Sequence, residues 1–137
     1  WRTQLRDWMR SLRAHLLRYP AAIRMIGRRG RTSPAWLDAV SAQVAILERT
    51  GLDGVQLARA HLFVLEATIG LVIQEASLAV PDQIENARAS LAGMSAEGRA
   101  RLAPLIPHLA RLDPDAFFAF ATERTIAALD DLVRGGR

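Results

Sequence analysis

The chain has 137 residues, of which 50% are hydrophobic and 23% charged, so it is long and apolar enough for one folded domain and is not disordered. It contains no cysteine, which excludes disulfide bonds, a thiolate nucleophile and cysteine-ligated metals. All 18 basic residues are arginine and the net charge is only +4, which by itself does not predict nucleic-acid binding. The chain begins at Trp1 and shows no signal peptide, so we expect a fragment of a longer cytoplasmic protein.

The first predicted helix spans residues 2–19 and is amphipathic. Its apolar face recurs at steps of three and four residues and consists of Trp1, Leu5, Trp8, Leu12, His15 and Tyr19. A row of arginines lies roughly opposite, formed by Arg2, Arg6, Arg10 and Arg13. Such a row either binds phosphates or anionic lipid, or is a solvated helix face, and the solvated face is the more ordinary interpretation. Pro20 ends the helix, because a residue before proline is pushed out of the α region.

Two more helices are predicted over residues 21–27 and 34–50, separated by a basic turn at residues 28–31. Ser33 as N-cap and Pro34 at the first helical position predict where the longer one begins. One face of this helix carries Trp36, Val40, Gln43, Val44 and Leu47. Gly51 is expected to end it in the left-handed conformation, and Asp53 can cap the next helix. So short a connection predicts that these two helices are antiparallel neighbours.

The central predicted helix spans residues 55–80 and carries two apolar stripes. The first stripe consists of Val55, Ala58, Leu62, Leu65, Ile69, Val72, Ile73 and Ala76. The second consists of Ala60, Val64, Ala67, Leu71 and Leu78. Glu66 interrupts the run before it reaches the ~18 uncharged residues that a membrane span needs, which favours a soluble, buried helix. A helix on one core needs one stripe, so two stripes predict a second packing partner in another chain.

Residues 82–111 give a weaker pattern. Residues 82–94 are polar and alanine-rich, and a helix that starts at Ser95 is expected to be short or broken because of Gly98, Pro104 and Pro107. The last helix is predicted over residues 114–134, after a capping aspartate, Asp113. No alternating strand pattern occurs, so the predicted fold is all-α, an antiparallel helical bundle of about five to six helices.

No catalytic or metal-binding motif is visible. The three histidines, His15, His61 and His108, never share a helix at ligand spacing. A nucleophile elbow, a phosphate-binding glycine loop and a paired-carboxylate site are also lacking. The sequence therefore predicts neither an enzyme nor a bound metal or cofactor.

Several polar residues are set inside apolar faces. His15 is either a core histidine bonded to a backbone carbonyl or a ligand contact in a cavity between helices. Gln43 occupies a similar position on the helix at residues 34–50. On the central helix, His61, Thr68 and Glu75 form a polar seam that could equally fix the register of a subunit interface.

Four short runs follow one another along the chain. They are LLRYP at residues 16–20, LERTGL at 47–52, GLVIQE at 70–75 and LDDLVRG at 129–135. With the tryptophan that opens the first helix, this succession resembles the regulatory domains of the tetracycline-repressor (TetR) family. The resemblance spans nearly the whole chain.

The resemblance implies that residues 1–137 are the effector-binding and dimerisation domain of a bacterial transcriptional repressor. It places a helix-turn-helix DNA-binding head upstream of this fragment. It also implies that the central and last helices pair with those of a second subunit as a four-helix bundle. The implied partners are a second copy, a small apolar or amphipathic effector, and operator DNA through the head only, with no membrane.

On this basis two sets of candidate residues are named. The candidate ligand-binding residues are Trp8, Leu12, His15, Met25, Trp36, Gln43, Leu62, Phe63 and Glu66. The candidate dimer-interface residues are Val64, Thr68, Leu71, Glu75, Leu78, Phe118, Thr122, Thr125 and Leu129.

Two alternatives stay open on the residues alone. One is an all-α homodimeric interaction module without a small-molecule pocket, whose surplus apolar surface is covered by subunit contacts. The other is a membrane-surface or nucleic-acid binder that uses the arginine row of the first helix and the basic turn at residues 28–31.

Overall fold

A computed structural model of the chain describes residues 1–26, 33–77 and 80–135. Over these residues the fold is all-α, as predicted, and contains no strand. The helices are α1 (Arg2–Arg18), α2 (Pro20–Ile26), α3 (Pro34–Glu48), α4 (Gly54–Ser77), α5 (Val80–Leu91), α6 (Ala96–Leu102), α7 (Ile106–Leu109) and α8 (Pro114–Gly135), with a 3-10 turn (Ala103–Leu105) between α6 and α7.

The helices begin and end close to the capping and helix-ending residues that the sequence predicted. The Ser33 hydroxyl oxygen accepts a hydrogen bond of 3.3 Å from the Trp36 amide and caps α3. The Asp113 carboxylate accepts the amides of Asp115 and Ala116, each at 3.3 Å, at the start of α8. Gly51 has a φ of +84°, the left-handed conformation that ends a helix without the steric cost of a Cβ.

The region around Pro81 differs from the prediction. α4 ends at Ser77, and Pro81 lies in the first turn of α5. Proline is tolerated there because the first amides of a helix have no intrahelical partner. Further on, Ser95 caps α6 through a 3.2 Å hydrogen bond from the Gly98 amide. The prolines that follow divide the segment into a 3-10 turn and the single-turn α7, in agreement with a short, broken helix.

The core lies where α1, α3, α4 and α8 meet. α4 packs on the other three, and α1 also contacts α3 and α8. Each helix contributes one buried apolar face, and together these include Leu5, Met9, Leu16, Leu47, Ala60, Val64, Ile69, Val72, Phe118, Ile126 and Leu129. Burying one such large side chain contributes about 1.5–3 kcal/mol relative to leaving it exposed. α1 is therefore held on three sides by the helices around it.

Three of the four arginines in the predicted row on α1 form ion pairs inside the domain. Arg2 and Arg6 donate bidentate hydrogen bonds to Asp130 and Glu123 of α8. Arg13 makes the corresponding pair with Glu75 of α4. A guanidinium whose donors face a carboxylate in this way is satisfied by its partner. These three side chains therefore connect α1 to its neighbours and are not arranged as a phosphate-binding or simply solvated row.

The segment Gly54–Ala76 of α4 is long and apolar enough, by length and composition, to cross a bilayer. Packing within the chain accounts for part of that composition, since 33% of this apolar window is buried. Ala60, Val64 and Val72 have no exposed surface because they lie against the neighbouring helices. α4 is the core helix of a helical bundle, which passes the same compositional test.

Candidate functional site

A cavity of about 500 Å³ lies among α1, α2 and α3. We call it the α1–α3 cavity. Its volume falls within the ~300–1,000 Å³ of small-molecule sites. Its walls are mainly aromatic and aliphatic, formed by Trp8, Ser11, Leu12, His15, Leu16, Ala22, Ser33, Ala35, Trp36, Ala39 and Ala42.

The cavity brings together four of the predicted ligand-binding residues. Trp8, Leu12 and His15 come from one face of α1, where their spacing places them one turn apart, and Trp36 faces them from α3. The indole Nε1 of Trp8 donates a hydrogen bond of 2.9 Å to the Ala39 carbonyl oxygen. This bond satisfies the only polar atom of the indole ring and fixes its orientation at the cavity wall.

The polar groups at the cavity are few. Ser11 and His15 on α1 and Ser33 at the start of α3 supply two hydroxyls and an imidazole. The His15 ring centroid lies 4.9 Å from that of Tyr19, with the ring planes tilted by 51°. A mostly apolar wall with several hydrogen-bonding groups suits an apolar or amphipathic molecule that is oriented by one or two polar atoms.

Gln43 does not line this cavity. Its side chain is fully buried between α3 and α4, where Nε2 donates a 3.3 Å hydrogen bond to the His61 carbonyl oxygen. Its Oε1 lies 2.7 Å from Nδ1 of His61. The structure therefore gives both polar residues a local partner, and Gln43 joins two helices.

The candidates Leu62, Phe63 and Glu66 also lie away from the cavity, which corrects their assignment. All three are exposed on the outer side of α4, with 53% of Leu62 and 47% of Phe63 accessible. The reason is the packing of α1, α3 and α8, which cover the opposite side of α4. The side chain of Met25 and all of Leu78 lie outside the described residues.

Most of the candidate dimer-interface residues lie in the core of the single chain. Six of the nine are buried: Val64, Thr68, Phe118, Thr122, Thr125 and Leu129. Thr68, for example, is fully buried and donates its hydroxyl to the Val64 carbonyl oxygen at 2.7 Å. In the single chain these six side chains are only 0–6% exposed and pack in the core, while their role in a dimer interface stays a prediction. Leu71 and Glu75 are half-buried and face a second cavity.

The exposed apolar side chains of α4 and α8 lie on their other sides. We call this set the outer α4–α8 surface, and it consists of Val55, Leu62, Phe63 and Ile73 on α4 with Phe117 and Phe120 on α8. The rings of Phe117 and Phe120 stack with their centroids 6.5 Å apart. Two stripes on α4 were visible in the sequence, and the structure exposes part of the first one, at Val55, Leu62 and Ile73.

The second cavity, of about 370 Å³, lies among α4, α5, α7 and the beginning of α8, and was not predicted. We call it the α4–α8 cavity. It is lined by Leu71, Gln74, Glu75, Ile84, Ala87, Ile106, Leu109, Leu112, Pro114, Phe117 and Phe118. Its walls combine one predicted helix with segments whose sequence patterns were weak.

Arg13 lies between the two cavities. Its Nε and Nη2 donate to the two carboxylate oxygens of Glu75 at 2.8 and 2.6 Å, and Nη2 also lies 2.7 Å from Oδ1 of Asp115. The guanidinium carbon is 4.8 Å from the centroid of the Phe118 ring. Hydrogen bonding to Glu75, with a smaller contribution from Asp115, raises the pKa of Arg13 above its already high ordinary value. Arg13 thus joins α1 to α4 and α8 as a permanent cation.

Within the described ranges, no three histidine, aspartate or glutamate side chains form a group that could hold a metal ion. The chemistry that the two cavities offer is binding by apolar contact and hydrogen bonds.

One comparison with known proteins gives a match. A family model described as "Tetracyclin repressor-like, C-terminal domain" matches residues 1–133. No curated protein and no solved structure matches the chain. The family match includes α1 and α3, which carry most of the α1–α3 cavity, and nearly all of α8.

Proposed function

Because the chain belongs to the tetracycline-repressor-like C-terminal domain family, we propose that it is the effector-binding and dimerisation domain of a TetR-like transcriptional repressor. In this proposal a small apolar or amphipathic molecule occupies the α1–α3 cavity. Its binding alters the operator affinity of a helix-turn-helix head joined to this domain. The family is one of regulators and not of enzymes, and we place the protein in the cytoplasm.

The observation that carries the proposal is the composition of the α1–α3 cavity. Two tryptophans, Trp8 and Trp36, supply apolar walls, while His15 and Ser11 can orient a polar atom of the ligand. Few polar groups on a mostly apolar wall are typical of sites that recognise small organic molecules.

The position of α1 supports a regulatory role for this cavity. One face of α1 lines the cavity through Trp8, Leu12 and His15, and its arginines hold α4 and α8. A ligand shifts a conformational equilibrium only if it binds one state more tightly than the other. A molecule that favours one placement of α1 would therefore change the spacing of two DNA-binding heads and so their affinity for the operator.

We assign dimerisation to the outer α4–α8 surface. Leu62, Phe63 and Phe120 expose large apolar side chains that a second copy of the chain would cover. Large apolar side chains exposed on two helices that contact each other are what an interaction site offers. This assignment keeps the central and last helices, α4 and α8, as the interface. It places the interface on their exposed sides and not on the mostly buried residues named from the sequence.

The cavity assignment is tested with a ligand found by thermal-shift screening of apolar and amphipathic molecules. Trp36→Ala is expected to weaken its binding at least about tenfold in a calorimetric titration, because truncating an aromatic anchor typically costs 2 kcal/mol or more. Leu37→Ala is the matched control, since Leu37 is exposed on α3 and does not line the cavity.

The regulatory assignment is tested in the protein that carries the DNA-binding head. The same ligand should release operator DNA from the wild type but not from Trp36→Ala, which should still bind the operator. Equal ligand affinity in Trp36→Ala, His15→Ala and the wild type would rule out the α1–α3 cavity as the effector site.

A further inference from the structure

We propose that the α4–α8 cavity is a second binding site, which takes a neutral, apolar small molecule such as an uncharged aromatic compound or a hydrocarbon chain. It shares no lining residue with the α1–α3 cavity. This proposal goes beyond the proposed function and does not depend on where the effector binds.

The shape of the cavity favours a small molecule as its occupant. Four helices contribute walls, and Ile84, Ile106 and Phe118 form a buried lining, so the site is concave and not one flat helix face. Its volume of about 370 Å³ is within the range of ligand pockets. A stable protein–protein interface, by contrast, buries roughly 800 Å² per partner over a broad surface.

The chemistry of the lining selects a neutral ligand. Only two lining residues, Gln74 and Glu75, have polar side chains. Both carboxylate oxygens of Glu75 accept hydrogen bonds from Arg13, so this carboxylate is already held by a partner within the protein. A charged ligand would lose its hydration against a wall in which nine of the eleven lining residues are apolar, which is costly. An apolar ligand loses no hydrogen bonds and gains contacts with leucine, isoleucine and phenylalanine side chains.

The same lining connects the site to α1. Glu75 and Phe118 both line the cavity, and both contact the Arg13 guanidinium, through hydrogen bonds and through the ring face. An occupant therefore packs against the two residues that hold α1 at this point. Occupancy is expected to stabilise the placement of α1 in which Arg13 is paired.

The site is tested with 1-N-phenylnaphthylamine, a neutral aromatic probe, by NMR of the isoleucine methyl groups in the 137-residue chain. The background variant is Ala42→Phe, which places a ring at the wall of the α1–α3 cavity to weaken probe binding there, so that the second site can be observed. The probe should shift the methyl signals of Ile84 and Ile106, which line the α4–α8 cavity.

Two further substitutions fill or polarise the proposed site in that background. Ala87→Phe places a ring in the α4–α8 cavity and should weaken probe binding at least about tenfold. Leu109→Glu introduces an unpaired charge at a half-exposed lining position, where it should fold normally, and should weaken binding similarly. Ala89→Phe is the matched control, because Ala89 lies on the same helix outside this cavity.

Three results would overturn the proposal. One is the absence of probe binding in the Ala42→Phe background. Another is a probe affinity that neither Ala87→Phe nor Leu109→Glu changes, with shifts centred on Ile73 of the outer surface. The third is binding that appears only when Leu62→Arg separates two chains, because the cavity would then be covered by a second copy.

Discussion

The imidazole Nδ1 of His61 lies 2.7 Å from the side-chain oxygen of Gln43, and the Gln43 amide returns a 3.3 Å hydrogen bond to the His61 carbonyl oxygen. Gln43 is fully buried, so its polar atoms must find partners within the protein. Because Oε1 of Gln43 can only accept, Nδ1 of His61 carries the proton in this pairing. The two residues form a polar connection between α3 and α4 inside an otherwise apolar contact.

Gln43→Leu should therefore destabilise the domain. The substitution removes both hydrogen bonds and leaves Nδ1 of His61 facing an apolar side chain, at an expected cost of about 1–3 kcal/mol in the free energy of unfolding. Urea denaturation measures this cost. Ser41→Ala, at an exposed position on the same helix, should stay within about 0.5 kcal/mol of the wild type. A Gln43→Leu protein as stable as the wild type would contradict the role of the pair.

The ion pairs of α1 should differ in strength. Arg13 is 16% exposed and meets two carboxylates, whereas Arg2 is 56% exposed and meets one. Arg13→Met should lower the free energy of unfolding by about 2 kcal/mol, as loss of charged hydrogen bonds does. Arg2→Met should cost under about 1 kcal/mol, because exposed pairs are weak. Equal losses in the free energy of unfolding for Arg13→Met and Arg2→Met, in thermal or urea denaturation, would show that burial does not determine the strength of these pairs.

Two carboxylates on α8 should contribute to acid sensitivity. The hydrogen bonds from Arg6 and Arg2 lower the pKa of Glu123 and of Asp130, respectively, below their ordinary values. A carboxyl whose folded-state pKa is lowered stabilises the protein above its unfolded-state pKa of about 4, and this contribution is lost as the pH falls further. Glu123→Gln should make the loss of stability between about pH 5 and pH 2 shallower, measured as melting temperature against pH.

The control for this prediction is Arg6→Met. Without the Arg6 guanidinium, the largest cause of the lowered Glu123 pKa is removed and only the weaker attraction of Arg10 and Arg124 remains, so Glu123→Gln should then change the acid profile much less. If Glu123→Gln made the loss of stability at low pH shallower by the same amount with and without Arg6→Met, a group other than Arg6 would be responsible for this acid sensitivity.

The outer α4–α8 surface should control the oligomeric state. Leu62→Arg places a charge on this surface and should convert a dimer to a folded monomer in sedimentation equilibrium, because a buried unpaired charge at an interface is costly. Leu37→Arg, at an equally exposed leucine of α3, should leave the dimer intact. Leu71→Arg should instead unfold the chain, since Leu71 packs against the core. A dimer that survives Leu62→Arg would move the interface elsewhere.

Thr122 should tolerate loss of its hydroxyl. Its Oγ1 is buried and has no hydrogen-bond partner in the described part of the chain. Thr122→Val should therefore leave stability unchanged or raise it by about 1 kcal/mol, because it removes an unsatisfied polar atom. Thr125→Val is the comparison, since Thr125 donates to the Ala121 carbonyl oxygen at 2.9 Å and should lose some stability. Marked destabilisation by Thr122→Val would indicate an unseen partner.

Much of the local structure could be predicted because it depends on residues close together in sequence. Ser33, Gly51 and Asp113 mark helix ends through hydrogen bonds or a backbone conformation set within three residues. The wall of the α1–α3 cavity was predicted for the same reason, since Trp8, Leu12 and His15 share one helix face.

The orientation of α4 could not be predicted in this way. Both of its stripes are apolar, and periodicity alone does not state which side of the helix the neighbouring helices cover, a side that includes residues of both stripes. That choice places Val64 and Thr68 against the core and leaves Leu62 and Phe63 outside. The α4–α8 cavity was missed because four of its eleven lining residues belong to α5 and α7, where polar residues and prolines obscure the helical pattern.

The ion pairs of α1 differ in burial along the helix, so its two ends are held differently. Its most buried anchor, Arg13, lies near one end, and its most exposed anchor, Arg2, lies near the other, about 16 Å away along the axis. A rotation of α1 caused by a ligand at His15 or Leu12, close to Arg13, would move the Trp1 end of the helix furthest. Because Leu5 and Met9 of this helix are fully buried, a shift in the α1–α3 cavity would reach the Trp1 end only as a movement of α1 as a whole.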